Sequence, residues 1–183
     1  MHAAKRTSTA VRAAIAGAAL AALLAVPANA LASSHCRDAN ANPNTTSLKR
    51  IDRATLCLLN QQRRAHGLRP LRQNHDLSLA SLRHARNMAV HDYFAHGDFV
   101  GRIRAAHYLK RTHGWMLGEN IAWGSWEYAT PASIVDGWMH SPPHRANILN
   151  GRFREIGIGV TRGAPAGGVD RAATYATDFG TRY

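Results

Sequence analysis

Apolar residues recur at helical spacing through the first half of this chain and alternate in its last third. That change of period is the first structural signal. Leu48, Ile51, Thr55, Leu58 and Leu59 fall near one helical face, with Arg50, Arg53, Arg63 and Arg64 largely elsewhere. Thr45, Thr46 or Ser47 can cap this helix; it runs to about His66, Gly67 ends it, and Pro70 blocks its resumption. A second helix begins at Asn74 or His75 and runs to about residue 91, with Leu79, Leu82, Ala85 and Ala89 as its apolar stripe. A third, shorter one covers residues 100–110. A fourth opens at Thr130-Pro131, where proline suits the first turn, and stops by Ser141 because two prolines follow. Residues 114–124, rich in Trp, Ile and Leu, read as a strand. Residues 155–161 alternate, with Ile156, Ile158 and Val160 on one face and Gly157 and Gly159 on the other, and a bare glycine face admits a close-packed helix. Residues 171–179 form a third strand, after a turn at 165–168. Helices first and strands late is the order of an α+β fold with an antiparallel sheet.

The N-terminus changes the picture from fold to compartment. Lys5, Arg6 and Arg12 precede or interrupt an apolar run ending at Pro27, and Ala28-Asn29-Ala30 supplies small residues for cleavage. This is the layout of a secretory signal peptide over residues 1–30. Residues 31–46 then read as a polar N-terminal arm and residues 47–183 as one domain. No later stretch is long and apolar enough to span a membrane. The formal charge of +12 falls to +9 after cleavage, because three basic residues and no acid leave. The arginines are scattered, which together with export argues against a nucleic-acid partner. A basic surface in the envelope instead suits weak association with anionic polymers. Cys36 and Cys57, the only cysteines, read as a disulfide in an exported chain, with two buried thiols as the other reading.

Three separated segments carry the candidate chemistry: Asp92-Tyr93-Phe94-Ala95-His96, Gly118-Glu119-Asn120-Ile121, and Trp138 to Leu149. Glu119, one of three glutamates, lies in an apolar strand pattern, so it must be paired or at a cleft. His96 follows a helix end, and His144 sits after Pro142-Pro143 on a turn that fixes its direction. Arg145 is placed to clamp Glu119 or Asp136. His140 and His144 are four apart, but the prolines between them break any helical metal pair. No Gly-x-Ser-x-Gly elbow, Walker loop, His-Glu-x-x-His or Cys-x-x-Cys occurs. Trp115, Trp123, Trp126 and Trp138 read as core or cleft wall.

Taken in order, these segments resemble the CAP superfamily of cysteine-rich secretory, antigen five and pathogenesis-related-one proteins, in its bacterial secreted, SCP-like branch. Leu59-Asn60-x-x-x-Arg64-x-x-Gly67-Leu68-x-Pro70-Leu71, Tyr93-Phe94-Ala95-His96, Gly118-Glu119-Asn120-Ile121, Trp138-Met139-x-Ser141-Pro142-x-His144-Arg145-x-Asn147-Ile148-Leu149, Ile156-Gly157-Ile158-Gly159 and Asp178-Phe179-Gly180 carry the likeness over residues 48–180. The resemblance implies a three-layer α-β-α sandwich with a central antiparallel sheet and an open cleft. It places His96, Glu119 and His144 in that cleft, with Asn120 and Arg145 beside them, and makes His96 and His144 the residues for a weakly held zinc or other divalent ion. The family pattern has a second acid after the tryptophan of the fourth helix. Met139-His140-Ser141 offers none, and Asp136 and Glu127 are the nearby acids. The expected function is a secreted, monomeric, non-catalytic binding module whose cleft takes a lipid, a cell-wall component or a protein. Two alternatives are a metal-dependent hydrolase, with metal on His96 and His144 and Glu119 activating water, and an envelope-associating structural protein.

Overall fold

The computed structural model describes residues 36–183, so the signal peptide expected over residues 1–30 lies outside the described residues. Helix α1 (Leu48–Ala65) buries Ile51, Ala54, Thr55, Leu58 and Leu59 on one face, and the chain turns away through Gly67 at φ +69. Arg63 departs from the expected pattern by joining the buried face. Its guanidinium donates to the carbonyls of Arg69 (2.9 Å), Ile148 (2.8 Å), Asn150 (3.0 Å) and Phe153 (3.3 Å). Backbone carbonyls stand in for a counter-ion there, and burial lowers the Arg63 pKa.

Helix α2 (His75–Val90) starts where the Asn74 side chain accepts from the amides of Asp76 and Leu77. Its buried face is Leu77, Ala80, Ser81, His84, Ala85 and Met88. Of the stripe expected from apolar residues alone, only Ala85 is buried. Two polar residues in the core face, Ser81 and His84, shift the true stripe. Short α3 (Phe99–Ala105) follows, capped by Asp98, whose Oδ1 accepts from the Gly101 amide at 2.8 Å.

Helix α4 (Pro131–His140) ends at Ser141 as the prolines require. They do not leave a plain turn, however: Pro142 and Pro143 occupy the first positions of a further helix, α5 (Pro142–Ile148). Proline is tolerated there because those N–H groups would have no intrahelical acceptor.

Strands β1 (Arg72–Gln73), β2 (Trp115–Ser125), β3 (Glu155–Arg162) and β4 (Ala172–Arg182) form one sheet in the order β1-β3-β4-β2. The three long strands are antiparallel as expected, and the two-residue β1 joins β3 in parallel. Ile156, Ile158, Val160, Tyr175 and Phe179 pack with Leu58, Leu59, Trp138 and Ile148 on the α1 and α4 side. On the other side the glycine face of β3 lies directly against α2. A methyl group at Gly157 would stand 2.0 Å from the Leu77 carbonyl carbon, and one at Gly159 would stand 2.2 Å from the Leu82 amide nitrogen. Helices therefore cover both faces of a central sheet, the three-layer arrangement. Among the described residues no helix is long and apolar enough to cross a membrane.

Cys36 and Cys57 are joined in a disulfide. Residues 36–46 of the arm it tethers are packed rather than free. Ala39 accepts from the Ala132 amide at 2.9 Å, Pro43 accepts from Arg162 Nε at 3.0 Å, and Asn44 Nδ2 donates to the Ala172 carbonyl at 3.2 Å.

Candidate functional site

Strand β2 is a sheet edge, and alternation sends its residues to opposite sides. Gly118 lets α5 come close, since a methyl group there would meet Asn147 Oδ1 at 2.8 Å. Asn147 Nδ2 donates to the Glu119 carbonyl at 3.1 Å and to Asn120 Oδ1 at 2.9 Å. Asn120, fully buried, donates to the His144 carbonyl at 3.1 Å. Asn120 thus positions the helix that carries His144. From α4, Trp138 Nε1 donates to the Ile121 carbonyl at 3.1 Å.

Glu119 points the other way, toward α2 and α3, with its side chain 1% exposed. Its Oε1 lies 2.8 Å from His96 Nδ1, and its Oε2 accepts from Arg102 Nη2 at 2.5 Å. Arg102 Nη1 also donates to the His96 carbonyl at 2.8 Å, so one guanidinium ties the His96 loop to the carboxylate. The cation on Glu119 is therefore Arg102, not Arg145. Arg145 Nη2 lies 3.2 Å from His66 Nε2, and Asp136 is exposed and pairs with His140 at 3.4 Å. The need for a cation beside Glu119 was legible in the sequence, but with so many arginines its identity was not.

Two further groups escaped the sequence reading. His84, on the core face of α2 and 1% exposed, has its Nε2 3.9 Å from Glu119 Oε2. Neither ring nitrogen makes a hydrogen bond among the described residues. Burial lowers its pKa, against the opposing pull of Glu119 and of the nearby Ala95 carbonyl, which approaches without forming a hydrogen bond. Asp178 stands directly opposite Glu119 in the β2–β4 register. Its Oδ2 accepts from Ser81 Oγ at 2.7 Å, whereas Oδ1 has no partner apart from the adjoining Glu119 carboxyl. Burial, and then the Glu119 charge, raise the Asp178 pKa well above the ordinary carboxylate range. Two adjoining buried carboxyl groups served by one guanidinium do not both ionise, so Asp178 is the neutral member. The second acid of this site comes from β4, and Glu127 and Asp136 both lie at the surface.

Beside this polar cluster runs an open cleft of about 390 Å³, walled by Phe94, Ile121, Ala122, Trp123, Tyr128, Ile134 and Trp138, with Ser141 and His144 also lining it. Phe94, Trp123 and Tyr128 are 46%, 39% and 67% exposed, enough for a ligand to stack on them. His144 Nδ1 lies 2.8 Å from Ser141 Oγ. Its pKa is lowered by burial and then by the neighbouring His96. Both imidazoles are thus engaged through Nδ1, and Nε2 of each makes no hydrogen bond to a described residue. A divalent ion would find those two nitrogens and little else. Glu119 is already held by Arg102, and no group of three His, Cys, Asp or Glu side chains among the described residues could hold a metal. The set does not fit a resident four-ligand ion.

The model of the CAP, or Cysteine-rich secretory protein, family matches residues 56–176. Two Bacillus subtilis proteins are similar in sequence. The uncharacterized protein YkwD is 32% identical over 119 residues, covering 62% of this chain and 44% of that protein. The uncharacterized membrane protein YlbC is 32% identical over 123 residues, covering 64% of this chain and 32% of that protein. The chain therefore spans less than half the length of these relatives. Among solved structures, an outer surface protein of Borrelia burgdorferi aligns with a TM-score of 0.62 at 18% identity, over 75% of this chain and 97% of that one. An extracellular, SCP-domain-containing protein of Bacillus anthracis aligns with a TM-score of 0.55 at 21% identity, over 73% of this chain and 43% of that one. At such identities the likeness shows the fold. With two thirds of its length matched by the family model, the chain belongs to the Cysteine-rich secretory protein (CAP) family.

Proposed function

We propose that this chain is an exported, non-catalytic binding module whose cleft along β2 takes a lipid. One observation carries the reading: the cleft walls are aromatic and aliphatic over most of their length, and Ser141 and His144 are among its few polar side chains. An elongated apolar ligand with a polar head matches that distribution, since apolar walls supply affinity and a few polar groups fix orientation. Glu119 does not suit the role of a free base. It is buried, and Arg102, His96 and Asp178 occupy its oxygens.

Titration with a bromine-labelled fatty acid, read by tryptophan quenching, tests the proposal. Saturable quenching is expected, reduced in Trp123→Ala and abolished in Ile134→Glu. A protein that ignores the fatty acid but responds to cell-wall glycan fragments would replace the lipid with a carbohydrate. Response to neither would remove the cleft as a ligand site.

A further inference from the structure

A second concavity, lined by none of the residues of the His96 cluster, is made by the disulfide. Joining Cys36 to Cys57 lays Arg37 and Asp38 of the arm beside Arg50 and Arg53 of α1, around an opening of about 390 Å³. Three guanidiniums share one acid. Arg50 engages Asp38 through Nε at 2.9 Å and also through Nη2. It holds the Asp38 carboxyl below the ordinary range, with Arg37 and Arg53 adding to the pull. Arg50 is thereby neutralised. Arg37 makes no hydrogen bond to a described residue, and Arg53 spends only its Nε, on the Lys49 carbonyl at 3.3 Å. Residues 1–35 contain no Asp or Glu that could reach either.

We propose that this concavity is a binding site for a phosphate group, gripped by Arg37 and Arg53 from two covalently linked segments. Two like charges around one hollow repel each other until an anion enters. Guanidinium binds oxyanions through paired N–H donors. A tetrahedral phosphate presents oxygens in more than one plane, so it can serve two guanidiniums on separate backbones. A carboxylate has two coplanar oxygens, so it meets guanidiniums on separate backbones less squarely. The hollow is larger than a phosphate and open to solvent, which suits a phosphate ester rather than the bare ion. The ester is either a soluble molecule or a lipid headgroup.

The test titrates inorganic phosphate into the protein and follows the arginine Nε–H resonances, with acetate in parallel. Saturable shifts confined to Arg37, Arg50 and Arg53 are expected with phosphate. Arg37→Ala with Arg53→Ala should weaken binding roughly tenfold per arginine. Arg83→Ala with Arg86→Ala, which removes the same charge from an exposed part of α2, should leave it unchanged. All four side chains are exposed, so both double variants should melt as the parent does. Non-saturating shifts, equal loss in both double variants, or acetate binding as tightly as phosphate would each overturn the proposal. Sedimentation with phosphatidylcholine vesicles, with and without phosphatidylglycerol, then identifies the source. Phosphatidylglycerol-dependent binding lost in the Arg37/Arg53 variant marks a headgroup, and a response to soluble phosphate alone marks a free ester.

Discussion

Asp52, on the partly buried flank of α1, has an Oδ1 without a hydrogen-bond partner, and burial pushes its pKa from 3.8 to about 7. The folded protein therefore keeps a proton that the unfolded chain releases. Its contribution is fully present below the unfolded pKa near 3.8 and is lost as pH rises through about 7. A shift of that size corresponds to at most on the order of 4 kcal/mol. Asp52→Asn should remove this loss, so urea unfolding would show the variant gaining on the parent from mildly acid pH to pH 8. A parallel pair of stability curves would contradict it. Asp178 acts with the same sign, because its folded pKa is also raised. Asp178→Asn, an isostere of the neutral acid, should stay within about 1 kcal/mol of the parent at neutral pH and lose less stability at higher pH. If it unfolds at neutral pH, the fold depends on an ionised Asp178. His84 and His144 act with the opposite sign. Their pKa values are lowered by burial, so the stability they contribute is present above their unfolded pKa and falls away as pH drops.

Between elements, glycines set which surfaces touch. Gly159→Ala would drive a methyl group to 2.2 Å from the Leu82 amide nitrogen of α2, and backbone cannot swing aside as a flexible side chain can. A loss of about 3 kcal/mol or more is expected, read as a lowered urea midpoint; an unchanged midpoint would mean that α2 does not rest on β3. Gly137 is the contrast. It lies within α4 with nothing within 4 Å of a new methyl group, yet it lines the cleft. Gly137→Ala should stabilise by about 0.5–1 kcal/mol while weakening the fatty acid, a separation that a purely structural role would not produce. The same elements show what the sequence could reveal. The period of α1 was legible because burial of one face explains it, and the glycine alternation of β3 because a bare face admits a close-packed helix. Arg63, Ser81, His84 and Asp178 were not, since a polar residue on a buried face looks like a solvated one until its partner is known. The partners of Arg63 stand more than 80 residues away, apart from Arg69 beside it, and those of Asp178 are Ser81, 97 residues away, and Glu119 on the neighbouring strand. Helix α5 was hidden for a local reason: two prolines mark an end and a beginning equally well.

At the scale of the whole molecule, the described part of the arm is tied more closely to the domain than its composition suggests. Asn-rich and polar, residues 36–46 nonetheless hydrogen-bond to α4, β3 and β4, the last through the Asn44 side chain. The disulfide closes a loop of 21 residues across it. In the chain-entropy account a loop of that size contributes about 3 kcal/mol by restricting the unfolded state. Because the arm is also held by hydrogen bonds and by buried Cys36 and Ala39, reduction should weaken the fold without dissolving it. Thermal unfolding with and without reductant should show one cooperative transition in each case, lowered by about 6–12 °C on reduction. The cleft should survive, since its walls come from β2, α4 and the segments around them, and reduced protein should still quench with the fatty acid. The phosphate response should fade, because the segments carrying Arg37 and Arg53 are then no longer cross-linked side by side. Loss of both responses together would mean that the disulfide holds the entire fold and that the arm's hydrogen bonds contribute little. An unchanged melting temperature would mean that the arm's packing alone restrains the chain.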